Sequence, residues 1–404
     1  MRILVHDYAG HPFQVQLSRE LARRGHTVTH VYAGGLLTPR GELARRIDDP
    51  TGFRVEEVPM SPHYRANKYS FLKRRGYELG YGRELVALLH RLQPEVVISG
   101  NTPTEPQWMM IKAARAAGIP VVSWVQDFYS VAVDKLARKK LPLLGALVGA
   151  WYRRLDVRCF RSSAAIIAIT KDFGPILTDF GVAAEKISVI PNWAPLEELP
   201  VLPKNNPWAD RHDLADKFVF LYSGTLAMKH NPDLLRQVCL AFKDDPAVRV
   251  VVISEGPGAD FLQARKQAEQ LTNLCLLPYQ PFAELPAVLA SADVLLTALE
   301  RDAGIFSVPS KVLTYHAAGR AILGAMPAEN LATRILGEQG SGRCVEPDDA
   351  IGFVAAARSL REDQALRKVM GQRARNYAET AFDIRHIADR FESVLRQAAQ
   401  SPST

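Results

Sequence analysis

Residues 218–232 read Phe218-Val-Phe-Leu-Tyr-Ser-Gly-Thr-Leu-Ala-Met-Lys-His-Asn-Pro232. The segment 218–222 is a short aromatic and β-branched run, as a buried strand requires. Gly224 breaks it, and Pro232 suits the first turn of a helix. A strand that passes through a glycine turn into a helix is the repeating unit of a parallel α/β sheet.

The same unit recurs on both sides. Toward the C-terminus, apolar runs lie at 248–253, 274–277, 294–297 and 321–323. Helical spacing falls between them at 232–243, 259–271, 285–289 and 311–318, and three later helical segments occupy 350–360, 364–380 and 384–398. Toward the N-terminus the runs are 3–5, 28–32, 55–58, 96–99, 121–125, 165–169 and 189–190, with helical segments at 13–24, 84–92 and 108–117. Between the two series Pro195, Pro200, Pro203 and Pro207 interrupt all periodicity, which is linker composition. The expectation is an α/β chain with two Rossmann-like domains facing each other across a cleft. They are 1–194 and 216–383, with a linker at 195–215 and a terminal helix at 384–404 packing back toward the first domain.

Length agrees, because 404 residues exceed one ordinary core. Cys159, Cys239, Cys275 and Cys344 are far apart, which argues against a disulfide framework or a zinc site and suits a reducing compartment. The N-terminal run Met1-Arg-Ile-Leu-Val-His-Asp7 reads as a first buried strand, so no secretory signal is expected. Net charge is +7 and unevenly spread: residues 1–200 hold 27 Lys and Arg against 19 Asp and Glu, and 201–404 hold 23 against 24. A basic half fits anionic lipid, nucleic acid or an acidic substrate.

Several chemistries fail early. There is no Gly-x-x-x-x-Gly-Lys-Ser/Thr loop. Gly256-Pro-Gly258 lacks the third glycine of a dinucleotide fingerprint, since Phe261 stands there. No Asp-x-Asp pair supplies a metal clamp, so no metal site and no cofactor are expected. What remains is anion chemistry. The turn at Gly224 lets backbone approach a pyrophosphate, and Lys229, five residues on, can neutralise it. Pro309 suits the first turn of the 311–318 helix. The amides about Ser310 and Lys311 then form an anion-binding helix start, and Gly319 ends the helix.

Together, Ser223-Gly-Thr-Leu-Ala-Met-Lys229, Ile253-Ser-Glu-Gly-Pro-Gly258, Ala290-Ser-Ala-Asp-Val-Leu295, Val308-Pro-Ser-Lys311 with Ala317-Ala-Gly-Arg320, and Val189-Ile-Pro-Asn-Trp193 resemble the family 4 retaining glycosyltransferases. Their branch building bacterial surface polysaccharides, such as the colanic acid and O-antigen transferases, is the nearest in pattern. The resemblance spans nearly the whole chain and implies the GT-B fold, with the acceptor on the first domain and a nucleotide-diphosphate sugar, expected to be UDP-linked, on the second. It implies that Lys229 contacts the donor pyrophosphate, that Glu255, Gly256 and Pro257 lie beside base or ribose, and that Ser310 and Lys311 hold the distal phosphate. It also brings Gly10 and His11 near the transferring sugar and gives Asp127 an acceptor-side or catalytic role. Phe306 and Thr314 stand where many members carry paired glutamates, and Thr225 where many carry an arginine, so Thr225 and Thr314 complete the candidate donor set. An inactive partner subunit and a sugar-nucleotide 2-epimerase remain as alternatives.

Between the basic clusters Arg138-Lys-Lys140 and Arg153-Arg154 lies Leu141-Pro-Leu-Leu-Gly-Ala-Leu-Val-Gly-Ala-Trp-Tyr152. This is too short to cross a bilayer, which takes about 20 residues. Apolar residues with a Trp-Tyr pair and flanking cations suit an anionic membrane surface, so region 135–161 is expected to dock there, with Lys68 and Lys73-Arg-Arg75 adding charge. The expected location is cytoplasmic, peripheral at the inner membrane, with a lipid-linked or oligosaccharide acceptor. No nucleic-acid motif is evident.

Overall fold

Strands apolar on both faces need helices above and below them. The computed structural model meets that need in two units, and it describes residues 1–36, 40–67, 70–140, 142–301 and 309–400. Unit 1 comprises Met1–Asn192 with Ile384–Thr404, and unit 2 is Trp193–Asp383.

Unit 1 holds β1 (Arg2–Asp7), β2 (Thr27–Ala33), β3 (Phe53–Val58), β4 (Val96–Gly100), β5 (Val121–Val125), β6 (Ala165–Ala168) and β7 (Ile187–Val189). They form one sheet in the order β3-β2-β1-β4-β5-β6-β7, and every pairing is parallel. Ile3 is in register with Val28 on one side and Val96 on the other. Strand order reverses beside β1, which makes the end of β1 the switch point where ligands of such sheets bind. Its helices are α1 (Pro12–Arg23), α2 (Tyr64–Asn67), α3 (Phe71–Leu92), α4 (Thr104–Ala116), α5 (Tyr129–Lys140), α6 (Pro142–Ser162) and α7 (Phe173–Asp179).

Unit 2 holds α8 (Pro207–Arg211), β8 (Phe218–Ser223), α9 (Pro232–Ala241), β9 (Val248–Ile253), α10 (Pro257–Glu269), β10 (Leu274–Leu277), α11 (Leu285–Ala290), β11 (Val294–Ala298), α12 (Lys311–Ala318), β12 (Ala321–Ala325), α13 (Leu331–Gln339), β13 (Gly342–Val345), α14 (Ala350–Glu362) and α15 (Gln364–Ala381). The parallel sheet runs β10-β9-β8-β11-β12-β13, with its switch point beside β8. Its two apolar layers differ in content. One gathers Phe220, Leu235, Val250, Leu296 and Phe353, and the other Trp208, Leu221, Val251, Leu295 and Tyr315.

Residues 195–215, expected as a linker, include α8, and Trp208 is buried in the second of those layers. Asn206 explains the change: its side chain accepts from Trp208 N at 3.0 Å and Ala209 N at 3.1 Å, capping α8 despite the surrounding prolines. The final helix, α16 (Ile384–Gln400), belongs to unit 1. Ile384, Ile387, Ala388, Phe391, Val394, Leu395 and Ala398 form its buried stripe, and the Phe391 ring meets Trp124 edge-on at 4.7 Å. Arg24 then fastens the exposed side, 2.6 Å from Asp389 and 3.2 Å from Glu392.

Candidate active site

The donor-side residues come together at the carboxyl end of the unit 2 sheet. Gly224 follows β8 with φ +121°, which L side chains rarely adopt, and its N–H donates to the Ile253 carbonyl at 3.0 Å. Thr225 is exposed at the turn, and its carbonyl accepts from Tyr222 Oη at 2.7 Å. Residues 228–230 then make a single 3₁₀ turn, closed by His230 Nδ1 accepting from Ala227 N at 3.0 Å. The main chain of Lys229 lies in this turn, while its side chain falls outside what the structure describes. After β9, Glu255 is exposed, Gly256 caps α10 with φ +96°, and Pro257 occupies the first helical position. Gly258 N donates to the Leu226 carbonyl at 3.0 Å, tying this second turn to the first.

Lys311 opens α12 and reaches the same turn. Its Nζ lies 3.4 Å from the centre of the Tyr222 ring, and its Cε is 3.6 Å from where a Cβ on Gly224 would be. The residue keeps some exposure, yet Nζ is buried and has no hydrogen-bond partner among the described residues. Burial therefore holds the Lys311 ammonium well below its usual pKa. A ring face gives a cation some attraction, but it cannot replace the hydrogen bonds lost from water. Ser310 precedes the helix, exposed, with no capping bond from its side chain. Thr314 turns its hydroxyl back onto the Lys311 carbonyl at 2.9 Å. Phe306 lies outside the described residues.

Three residues that the sequence reading passed over shape this site. Tyr315 Oη accepts from Ser223 N at 3.1 Å and donates to the Leu296 carbonyl at 3.2 Å, so α12 is clamped to β8 and β11 together. Ser254 Oγ and Thr297 Oγ1, near the ends of β9 and β11, are buried without partners among the described residues. A short hydroxyl residue at the end of an apolar strand is too common to signal this in advance.

Unit 1 arranges its own candidates around the end of β1. Gly10 has φ +79°, and its carbonyl accepts from Gly41 N at 3.0 Å. His11 is held by Asp7: its main-chain N–H donates to Oδ2, and Nδ1 lies 3.1 Å from Oδ1. Ala9 N also donates to Asp7 Oδ1 at 3.2 Å. Burial alone would push the Asp7 carboxyl up, but the attraction of His11 and these hydrogen bonds win and hold it below its usual value. Nearby His6 is buried between Ser99 Oγ at 2.8 Å and Tyr81 Oη at 2.6 Å, and burial lowers its pKa to about 4. Asp127 is exposed after β5, two strands from β1 and thus about 10 Å across the sheet. Beside it, a small polar pocket reaches Asn101, Thr104 and Asp156, the last bonded by Thr104 Oγ1 at 2.8 Å and Ser130 N at 3.0 Å. The amide of Gln14 is buried by Gly100 with neither end bonded among the described residues. Gly10, His11 and Asp127 thus share one sheet edge in unit 1, while the remaining candidates share one in unit 2.

Among the described residues no three His, Cys, Asp or Glu side chains gather as a metal would require, and no helix is long and apolar enough to cross a membrane. All four cysteines are free. On α6, Leu143, Leu147 and Trp151 recur every four residues on one face, exposed by 86%, 70% and 49%, with Leu144 beside them. Phe71 and Leu72 of α3 are also exposed, and the Phe71 ring meets Tyr152 of α6 at 6.2 Å. Arg138 and Arg153 are paired with Asp134 and Asp179, whereas Arg154 and Arg158 are exposed.

Two family models match successive parts of the chain. Residues 13–198 match the model of Glycosyltransferase Family 4, and residues 206–377 match that of Glycosyl transferases group 1. A probable glycosyltransferase of Pseudomonas aeruginosa, WbjE, is 25% identical over 260 residues, and the match spans 64% of each chain, short of two thirds of that relative's length. Among solved structures, HepE of Anabaena in complex with UDP-glucose superposes with a TM-score of 0.69 at 14% identity, covering 98% of this chain and 99% of that one. WaaG, a glycosyltransferase involved in lipopolysaccharide biosynthesis, gives 0.67 at 16%, covering 97% and 99%. Sucrose-phosphate synthase of Thermosynechococcus elongatus gives 0.71 at 13%, covering 98% of each. At such identities these likenesses establish the fold: two Rossmann-like domains of the GT-B type.

Proposed function

Since the chain joins a family 4 glycosyltransferase domain to a group 1 domain and so belongs with the GT-B glycosyltransferases, we propose that it moves a hexosyl or N-acetylhexosaminyl group from a nucleotide-diphosphate sugar to a lipid-linked saccharide in bacterial polysaccharide synthesis. The reading rests on one observation above the rest. A buried ammonium on Lys311, without a hydrogen-bond partner among the described residues, stands against a positive-φ glycine turn at a sheet switch point. An anion placed at that turn would give Nζ a hydrogen-bond partner. A diphosphate is the anion that a strand–glycine–helix turn accommodates. UDP as the carrier is supported by its presence in the HepE complexes.

In this reading the leaving diphosphate gains charge as the anomeric carbon loses it. Lys311 and Lys229, with main-chain amides at the turns, stabilise that charge without a metal ion, each well-placed donor being worth ~3–4 kcal/mol. Ser310 and Thr225 line the phosphate side, and Glu255, Gly256 and Pro257 the nucleoside side. The configuration at the anomeric carbon is retained, with the acceptor attacking on the face that the diphosphate leaves. Asp127 orients or deprotonates the acceptor hydroxyl, while Gly10 and His11, braced by Asp7, form the loop beside the sugar. The protein works peripherally at the cytoplasmic surface of the inner membrane. Its contact there is the α6 face of Leu143, Leu147 and Trp151, with Arg154 and Arg158 for anionic headgroups.

A panel of UDP-, GDP- and dTDP-sugars tests this directly. Calorimetry should find one donor class that binds, and NMR of the transferred or hydrolysed sugar should show the donor's anomeric configuration, with turnover unchanged by a chelator. Failure of every nucleoside diphosphate sugar to bind removes the proposal. An inverted product removes its stereochemistry alone.

A further inference from the structure

Unit 2 carries a second concave surface at the opposite end of its sheet. A cavity of about 730 Å³ opens beside the amino ends of β11 and β12, and its charged lining is Lys204, Asp293, Arg320, Arg367, Lys368 and Arg375. The donor turn lies at the carboxyl end of the same parallel sheet, after β8, and β12 alone is five residues, about 16 Å, long. The two places are therefore separate.

Five cations here face one carboxylate, and that carboxylate is already engaged. Asp293 accepts from Lys204 Nζ at 2.5 Å and from Val219 N at 2.8 Å. Arg320 and Arg375 have a structural role as well. Arg320 donates to the carbonyls of Ala290 at 2.9 Å and Leu202 at 2.9 Å, and Arg375 to those of Ala317 at 2.7 Å and Leu199 at 3.1 Å. Carbonyls satisfy hydrogen bonds, but they leave most of the positive charge in place. Arg375 Nε also meets Glu379 at 2.8 Å, on a side chain 57% exposed and so well screened. Arg367 uses Nη1 on the Leu360 and Arg361 carbonyls and lies 4.8 Å over the Phe218 ring. Lys368 is exposed and has no ion pair among the described residues. Along α15, Lys368, Gly371 and Arg375 fall at i, i+3 and i+7, so they share the face turned to the cavity. Gathering like charges costs stability unless an anion offsets them. Burial, separately, lowers the pKa of both Arg320 and Arg367.

We propose that this cavity is a second anion site, which takes a phosphate monoester or diphosphate group independently of the donor turn. Its volume lies within the range of small-molecule sites, ~300–1,000 Å³, and leaves room for the body that bears the phosphate. Arg367 and Lys368 supply the free donors, and Lys204, Arg320 and Arg375 the surrounding field.

Calorimetric titration of the full chain with inorganic pyrophosphate tests this in a Lys311→Ala background, where the donor turn is disabled. Binding should persist in Lys311→Ala alone. Adding R367E and K368E should weaken it about tenfold or more, whereas R367K with K368R should keep it within a few fold. Lys368 is exposed and Arg367 half-buried on the helix, and a melting curve for each variant confirms that it folds. No pyrophosphate binding in Lys311→Ala, or equal affinity with and without R367E and K368E, overturns the proposal and leaves the donor reading untouched. Co-sedimentation with phosphatidic acid vesicles, in a Leu147→Glu background that disables α6, identifies the source of the phosphate. Charge-reversal-sensitive vesicle binding assigns a lipid headgroup, and pyrophosphate binding without it assigns a soluble ester.

Discussion

The two switch-point turns of this chain solve the same problem in opposite ways. In unit 1 the loop after β1 is finished: Asp7 holds Ala9 and His11, and nothing about its carboxylate is left open. In unit 2 the turn after β8 is built around a vacancy in bonding, because Lys311 Nζ, Ser254 Oγ and Thr297 Oγ1 are buried without partners among the described residues. The contrast teaches where each unit spends its stability. One loop stabilises the fold as it stands, and the other holds polar groups at a cost that a bound anion can offset.

Lys311→Met breaks that contrast most sharply. Turnover should fall about 100- to 1,000-fold with the loss of the cation. The melting temperature should nevertheless rise, because a buried ammonium without a partner among the described residues is replaced by an apolar chain of similar length, a change of ~1–3 kcal/mol. Equal activity, or a lower melting point with circular dichroism otherwise native, would show that Nζ is already satisfied. Asp7→Asn should act the other way and destabilise unit 1 by about 2 kcal/mol, read by urea unfolding at pH 7. The sign follows from the lowered carboxyl: its contribution is present above the unfolded pKa near 3.8 and is lost as pH falls through the lower folded value. Wild type should therefore lose its advantage over Asp7→Asn only in acid, and a difference independent of pH would sink this assignment.

Gly224→Ala separates space from backbone. The Lys311 side chain leaves a Cβ ordinary contact at 3.6 Å, so the penalty should come from φ alone, ~1 kcal/mol, with a larger loss in donor affinity than in stability. Leu147→Glu gives the smallest stability change, within ~0.5 kcal/mol, and leaves hydrolysis of a soluble donor alone. It should still reduce co-sedimentation with anionic vesicles severalfold, and undiminished binding would remove α6 from the membrane contact.

Much of the fold was legible because buried parallel strands announce themselves. The runs at 218–222 and 248–253 are nearly free of polar residues, and β8 and β9 lie there. The edge strand β13 gave no such signal: Gly342-Arg-Cys-Val345 is half exposed along its length, so nothing alternates. The first half of α3 was hidden for another reason, since Gly76, Gly80 and Gly82 and a cluster of charges obscure its periodicity. In the site, Gly224 and Lys311 could be read because a turn and a helix start restrict residue type. Asp7, Tyr315 and Ser254 could not, because their roles depend on partners far away in sequence, such as Tyr315 on Ser223 and Leu296.

The return of α16 to unit 1 has a consequence for how the molecule is made. Trp124 is covered by Phe391, a residue that leaves the ribosome only after every strand of unit 2 has been synthesised. Unit 2 is one unbroken stretch of chain and can close on its own during translation. The earlier-made domain must wait with an apolar seam open, so the first half of the polypeptide is the last to be completed.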